Sequence, residues 1–461
     1  MTSAQRHPSM LRSAVNPATL LLATMPIQWV SLAHAGPFSI KLVYVAFLAV
    51  VVAALMARSV VNIAPVLVLQ NASWCLPYAI YLLILGLALY GSPAETMAPR
   101  QVLYLFGCLS MAGLLATRLD ASSILRIGAL LGLLAFILVV EVKAWENGLS
   151  WTIAVPRFLT TGDLDFIVYS FFRGVFNSAG DDGEITVKAA EKNTVAVCVF
   201  VLGLLFRIGF TRRGSDWLGF GITMLVMFLI VLLNTRSVLL VSGLALVLVA
   251  VLRHRISKRM STAGWIGRFT GIAFAAGITA IVVSADHPVN EVIFERLAFA
   301  DDSTEGRVVQ YEDALSQIEE NLLLGSGYYQ SVGRTIHNLF LSSWVHAGLP
   351  AFLLVVAFYG ALLATWLGLV LRIVQRPELW VIATPFEWVA VLPLLPAFRV
   401  WLSGDAGHLF LGEWIALACF FGLVLRNRLL LAEEGQMKND HVSLSADQDP
   451  QWSSGFGARF G

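Results

Sequence analysis

The sequence predicts an all-α, polytopic membrane protein of about twelve transmembrane helices with a helical loop outside the membrane. Three observations predict it. The 461 residues are 57% hydrophobic and only 13% charged, and the mean hydropathy is +0.75, a composition that fits lipid and not water. Apolar runs of ~20 residues, the length a helix needs to cross hydrocarbon, recur along the chain. Basic and acidic residues alternate from loop to loop. The net charge of +1 identifies no partner, but its distribution is informative.

The first run, 15–34, follows Arg6 and Arg12 and ends at Ala33-His34-Ala35, as a secretory signal peptide does. Retention as a first membrane helix is expected, because the remaining spans then close with both termini cytoplasmic. Further runs lie at 39–57, 74–91, 101–117, 124–141, 193–210, 217–234, 237–252, 266–284, 350–371, 380–399 and 408–425. A softer stretch, Asn62 to Asn71, precedes the third. Pro393 and Pro396 are expected to kink a helix. Glu387 and Glu413 are embedded acids whose partners the sequence does not show. Cys75, Cys108, Cys198 and Cys419 all lie in apolar runs without CxxC spacing, which implies neither a disulfide nor a metal site.

Arg58, Arg118, Arg126, Arg207, Arg212, Arg213, the cluster Arg253-His254-Arg255 with Lys258 and Arg259, Arg372, Arg376, Arg426 and Arg428 fall on one side of this arrangement. The positive-inside rule makes that side cytoplasmic. Asp163, Asp165, Asp181, Asp182, Glu184, Asp286, Glu291, Asp301 and Asp302 fall on the other. The transmembrane domain is accordingly set at 1–431, with external loops at 142–192 and 285–349. Residues 432–461 are polar and aperiodic, and are expected to form a disordered cytoplasmic tail.

The longest polar interval runs from Asp301 to Pro350. Val308, Tyr311, Leu315, Ile318 and Leu322 recur at steps of three and four, which predicts an amphipathic helix with those side chains on one face. Ser303 or Thr304 can cap its start, Gly325 ends it, and Gly325-Ser326-Gly327 is a turn. The chain then re-enters an apolar run at His337-Asn338.

Cations on the acidic side are the informative exceptions. Arg236 stands in Asn234-Thr235-Arg236-Ser237, between two apolar runs and without an acidic neighbour in sequence. Arg157, Arg173, Lys188 and Lys192 lie in the first external loop; Arg296, Arg307 and Arg334 lie in the second. An arginine fork suits phosphate, offering two parallel charged hydrogen bonds. Pairing with nearby carboxylates is the competing reading, and the preferred one for Arg157, Arg296 and Arg334. Histidine titrates near neutrality, so His337 can take a proton from a hydroxyl and return it, with Asn338 orienting it or the substrate. Asn338 is equally a good helix cap, and both readings stay open. His346 and His408 are read as structural.

Asp163-Leu164-Asp165 matches a metal-binding D-x-D pair, but three residues are weak evidence and a solvated turn is the preferred reading. Ser326 with His337 suggests a membrane serine protease, whose serine however belongs inside a membrane helix. There is no nucleotide-binding glycine motif, no internal repeat, and no basic patch interleaved with aromatics for nucleic acid.

Gly306-Arg307, a short helix, Leu324-Gly325-Ser326-Gly327, His337-Asn338-Leu339-Phe340 and Gly348-Leu349 together resemble the signature region of the O-antigen ligase and O-antigen polymerase superfamily. Arg236 between two spans, and a large outer loop before the last three spans, resemble it too. Arg173-Gly174-Val175-Phe176 is similar to a further family motif, in which an asparagine soon opens the next helix; here Asn193 stands in that place, after a longer and acidic segment. The resemblance implies a GT-C-like membrane glycosyltransferase in the bacterial inner membrane with its outer loop in the periplasm. It implies inverting transfer of a glycan from undecaprenyl pyrophosphate to a glycan or lipid A–core acceptor, without metal or other cofactor. Arg236, Arg307 and Arg173 would bind the pyrophosphate, and His337 and Asn338 would be catalytic. Ligase and polymerase differ only in the acceptor. A transporter of lipid-linked saccharide would place its charges near mid-bilayer, and a purely structural envelope protein would not need the mismatched arginines.

Overall fold

The computed structural model describes residues 16–28, 31–35, 38–92, 97–118, 120–146, 149–163, 166–167, 189–210, 217–233, 235–256, 302–327, 336, 338–403 and 409–446. It is helical almost throughout. The helices are α1 (Pro17–Thr24), α2 (Leu42–Met56), α3 (Arg58–Ala88), α4 (Met97–Thr117), α5 (Ala121–Glu146), α6 (Trp151–Thr161), α7 (Ala189–Gly209), α8 (Trp217–Leu232), α9 (Arg236–Ile256), α10 (Asp302–Glu320), α11 (Leu339–Gln375), α12 (Phe386–Val389), α13 (Leu394–Ser403) and α14 (Leu411–Ala446).

Six helices among the described residues are long and apolar enough to cross a membrane, in α3, α4, α5, α9, α11 and α14. Shorter apolar helices occupy 17–27, 42–56, 193–209 and 217–232. The expected span at 266–284 lies outside the described residues. The softer stretch Asn62 to Asn71 is fully helical within α3, despite Pro65 and Pro77.

The first segment departs from expectation. It is not one helix across 15–34: α1 gives way to a 3-10 turn at Met25–Ile27, and the chain then forms an antiparallel hairpin, β1 (Ser31–Ala35) with β2 (Phe38–Lys41). Pro26 supplies the reason for the break, since it has no N–H to continue the α-helical ladder. This two-stranded element is a local interruption in an otherwise helical chain. The span expected at 380–399 is likewise divided, into α12 and α13, with Pro393 between them. α14 continues unbroken through Leu431 as far as Ala446.

The core is organised on α7. Its residues from Val195 to Ile208 are buried on nearly every side, as a helix that is apolar all round requires. It packs against α5, α8, α9, α12 and α14, while α3 pairs with α11 and α4 with α14. Aromatic rings fill the seam between these pairs. Trp74 stacks on Phe421 at 5.0 Å between centroids, and Tyr78 meets Phe358 at 4.6 Å.

Candidate functional site

The polar interval becomes α10 and the start of α11, and these two are locked together by backbone. α11 is kinked at Gly348, where φ is 76° and ψ is −175°. The kink withdraws the Leu349 N–H from the helix, and it donates to the Leu322 carbonyl at 3.2 Å. That would leave the Val345 carbonyl without its partner four residues on. The Ser326 N–H supplies one, at 2.6 Å. The Trp344 indole N–H also donates to the Leu322 carbonyl, at 2.9 Å. Two chain segments thus exchange backbone hydrogen bonds across a notch.

Glycine is required on both sides of that notch. Gly348 has a positive φ, and a Cβ there would fall on the Leu323 carbonyl. Gly325 also has a positive φ, 74°, and its Cβ would sit 2.6 Å from the Gly348 nitrogen. Side chains with a Cβ rarely adopt this backbone region, and here they would meet backbone that has no room to retreat.

Behind the notch, Ala314 and Ile318 of α10 bury against Val345 of α11 and Ile336. The apolar face expected on α10 is therefore only partly used. Tyr311 and Ile318 point inward or sideways, but Leu315 and Leu322 are exposed, as are Leu323 and Leu324. The reason is the partner's width: one short helical segment covers a narrower stripe than the sequence pattern offers. Ser326 accepts from the Asn321 amide at 3.4 Å, in a turn outside any membrane-length helix.

Asn338 caps α11. Its side-chain oxygen accepts from the N–H groups of Phe340 at 2.9 Å and Leu341 at 3.2 Å. The capping reading of Asn338 is realised, and it sets where α11 begins. His337 lies outside the described residues, as do Arg173 and Arg334; both chain neighbours of His337 are tied down, Ile336 in the apolar cluster and Asn338 in the cap. Arg307 stands in the second turn of α10 and Arg236 is the first residue of α9; their side chains belong to the undescribed part. Beside Arg236, Thr235 is buried, and its hydroxyl has no hydrogen-bond partner among the described residues. α11 packs against both α9 and α10. α7 begins at Ala189, so Asn193 lies in its second turn and does not open it.

A second polar constellation lies near the start of α11. Phe340 packs on Tyr359 at 5.4 Å, and Tyr359 is within electrostatic reach of Arg399 and Glu413. Those two form a bidentate ion pair, at 2.5 and 2.9 Å, with both side chains 0% exposed. Glu413 also accepts from the Phe410 N–H at 2.7 Å, and the Arg399 guanidinium lies 4.0 Å from the Phe410 ring centroid. Next to it, Gln101 accepts from Tyr78 and Trp414 and donates to the Leu409 carbonyl at 3.1 Å. Arg399 went unnoticed in the sequence. The signal was there: it closes the run 380–399 at the end where Arg236 was found anomalous.

The remaining sequence candidates resolve simply. Arg157 pairs with Asp163 at 3.1 Å and stacks on Phe166. Asp163 also accepts from the Phe166 N–H at 2.7 Å, so this half of the D-x-D pair is occupied in a turn; Asp165 lies outside the described residues. His346 is buried, with Ser342 3.1 Å from Nδ1. Glu387 lies 3.7 Å from Arg253.

Comparison with known families bears on this same region. Residues 220–356 match the family model described as O-Antigen ligase. This match supports the resemblance of the chain to the O-antigen ligase superfamily. The O-antigen ligase match begins in α8, ends in α11, and takes in Arg236, Arg307, Gly325, His337, Asn338 and Gly348. Arg173 and the Arg399–Glu413 pair fall outside it. No curated protein matches the chain.

Proposed function

We propose that this protein transfers a glycan from undecaprenyl pyrophosphate to an acceptor hydroxyl at the periplasmic face of the inner membrane, as an O-antigen ligase. The observation that carries the reading is the packing of α11, which Asn338 opens, against both the helix that begins at Arg236 and the helix that carries Arg307.

Each element has a physical role in this reading. The start of α9 presents unpaired N–H groups and the positive end of a helix dipole, next to Arg236 and the unpartnered Thr235 hydroxyl, which suits an anion. Arg236 and Arg307, with Arg173, neutralise charge that grows on the pyrophosphate as the sugar leaves it. His337 takes the proton of the attacking hydroxyl as that oxygen forms the new glycosidic bond. The Asn338 cap and the glycine notch fix the start of α11, which His337 precedes in sequence. The matched family's description, O-Antigen ligase, supports the ligase reading, in which the acceptor would be lipid A–core.

Arg236→Ala and His337→Ala should each abolish transfer while leaving the protein in the membrane at normal level. Lipopolysaccharide gels of complemented deletion strains read this directly. Full-length ladders from both variants would overturn the assignment. Loss of long chains in the deletion strain, with lipid-linked polymer accumulating, means ligase; a single repeat capped on the core means polymerase.

A further inference from the structure

At the opposite end of α11 from Asn338 there is a second site. A cavity of about 250 Å³ lies between α3, α11 and α14. Its lining includes Arg372 of α11, Arg428 of α14 and the Gln70 amide of α3, over a wall of Leu369, Phe421 and Val424. No carboxylate lines it. The two guanidinium groups repel one another electrostatically, and neither forms an ion pair with a described residue. The Gln70 side chain is also without a hydrogen bond among the described residues.

Both arginines are exposed, so their charges are tolerated, but they repel one another across the cavity, and an anion between them relieves that repulsion. Two arginines and an amide present donors in the forked arrangement that phosphate oxygens accept. The surroundings define what carries the phosphate. All three helices are membrane spans by length and composition. Leu367 and Leu371 flank the cavity on α11 and Leu69 adjoins Gln70 on α3, and all three are exposed. A cavity with a cationic rim, an apolar wall and exposed leucines beside it matches a lipid, with headgroup at the rim and acyl chain along the wall. Arg372, Arg376, Arg426 and Arg428 gather at this end, which the positive-inside rule assigns to the cytoplasm. Anionic lipids are what basic pockets between helices select on that side.

We propose that Arg372, Arg428 and Gln70 form a binding site for the phosphodiester of an anionic glycerophospholipid in the cytoplasmic leaflet. The site is separate from the proposed transfer site and does not depend on it.

The test uses the full-length protein in bilayer nanodiscs of equal phosphatidylglycerol and phosphatidylcholine, with retained lipid counted by native mass spectrometry. The wild type should retain phosphatidylglycerol over phosphatidylcholine by on the order of tenfold. R372Q/R428Q should bring that ratio near one. R372K/R428K, which keeps the charge and loses the fork, should fall between, and this variant serves if the glutamine pair does not fold. Equal retention of both lipids by the wild type, or selectivity unchanged in either double variant, overturns the proposal. Glycerol 3-phosphate is the soluble arm. If it raises the melting temperature in an arginine-dependent way while no phosphatidylglycerol is retained, the occupant is a soluble phosphate ester and the lipid assignment fails.

Discussion

The notch at Gly348 and the ion pair at Arg399 answer the same physical problem with different parts. Both leave polar groups that need partners, and an unpartnered donor or acceptor held away from water is expensive. At the notch the polar groups are backbone: the Val345 and Leu322 carbonyls and the Ser326 and Leu349 N–H groups. They can be paired only if two chains approach without Cβ atoms, so the solution is written as glycines at fixed places. At Arg399 the polar groups are side chains, and the partner is Glu413, fourteen residues on, across a helix break. Nothing local constrains its position. The difference teaches that a backbone solution leaves a motif and a side-chain solution leaves none.

Four substitutions sharpen or break this contrast. The largest effect is expected at Glu413. Glu413→Ala removes both carboxylate contacts of the buried Arg399 guanidinium, which should destabilise by about 3–5 kcal/mol. Thermal unfolding in detergent reads it, and R399M/E413L should recover most of the loss. If the double variant is as unstable as the single one, the pair is not a self-contained unit. Gly348→Ala comes next. The strained φ alone costs about 1–3 kcal/mol, and the clash with the Leu323 carbonyl adds to it; a melting temperature equal to that of the wild type would mean that the notch opens freely. Asn338→Ala should cost about 1 kcal/mol through loss of the cap. Asn338→Asp keeps the cap, so a variant that is stable yet inactive in transfer would assign the amide a role beyond capping. The smallest effect belongs to Asp163→Ala. Its partner Arg157 is 49% exposed, and such surface pairs contribute roughly 0.2–1 kcal/mol. A larger loss there would show that the first external loop is more than a solvated turn.

The sequence by itself determined the membrane class, most helix positions, and the polar interval that folds back onto the bundle. These follow from hydropathy and local chain chemistry: apolar length sets where most helices lie, Pro393 breaks one of them, and Gly325 and Gly348 mark a backbone approach that no other residue permits. It also drew attention to Arg236, Arg307, His337 and Asn338, through charge on the unexpected side and through a family resemblance that the matched region supports. It placed Leu315 and Leu322 on a buried face that the structure leaves open, because periodicity reports a helix's apolar side and not the width of what covers it. Only the tertiary structure decided that Glu413 belongs to Arg399, that α11 touches both α9 and α10, and that Arg372 and Arg428 share a cavity with no carboxylate among the described residues that line it. Such pairings depend on which helices become neighbours, and that choice is made by packing across hundreds of residues, where no local pattern records it.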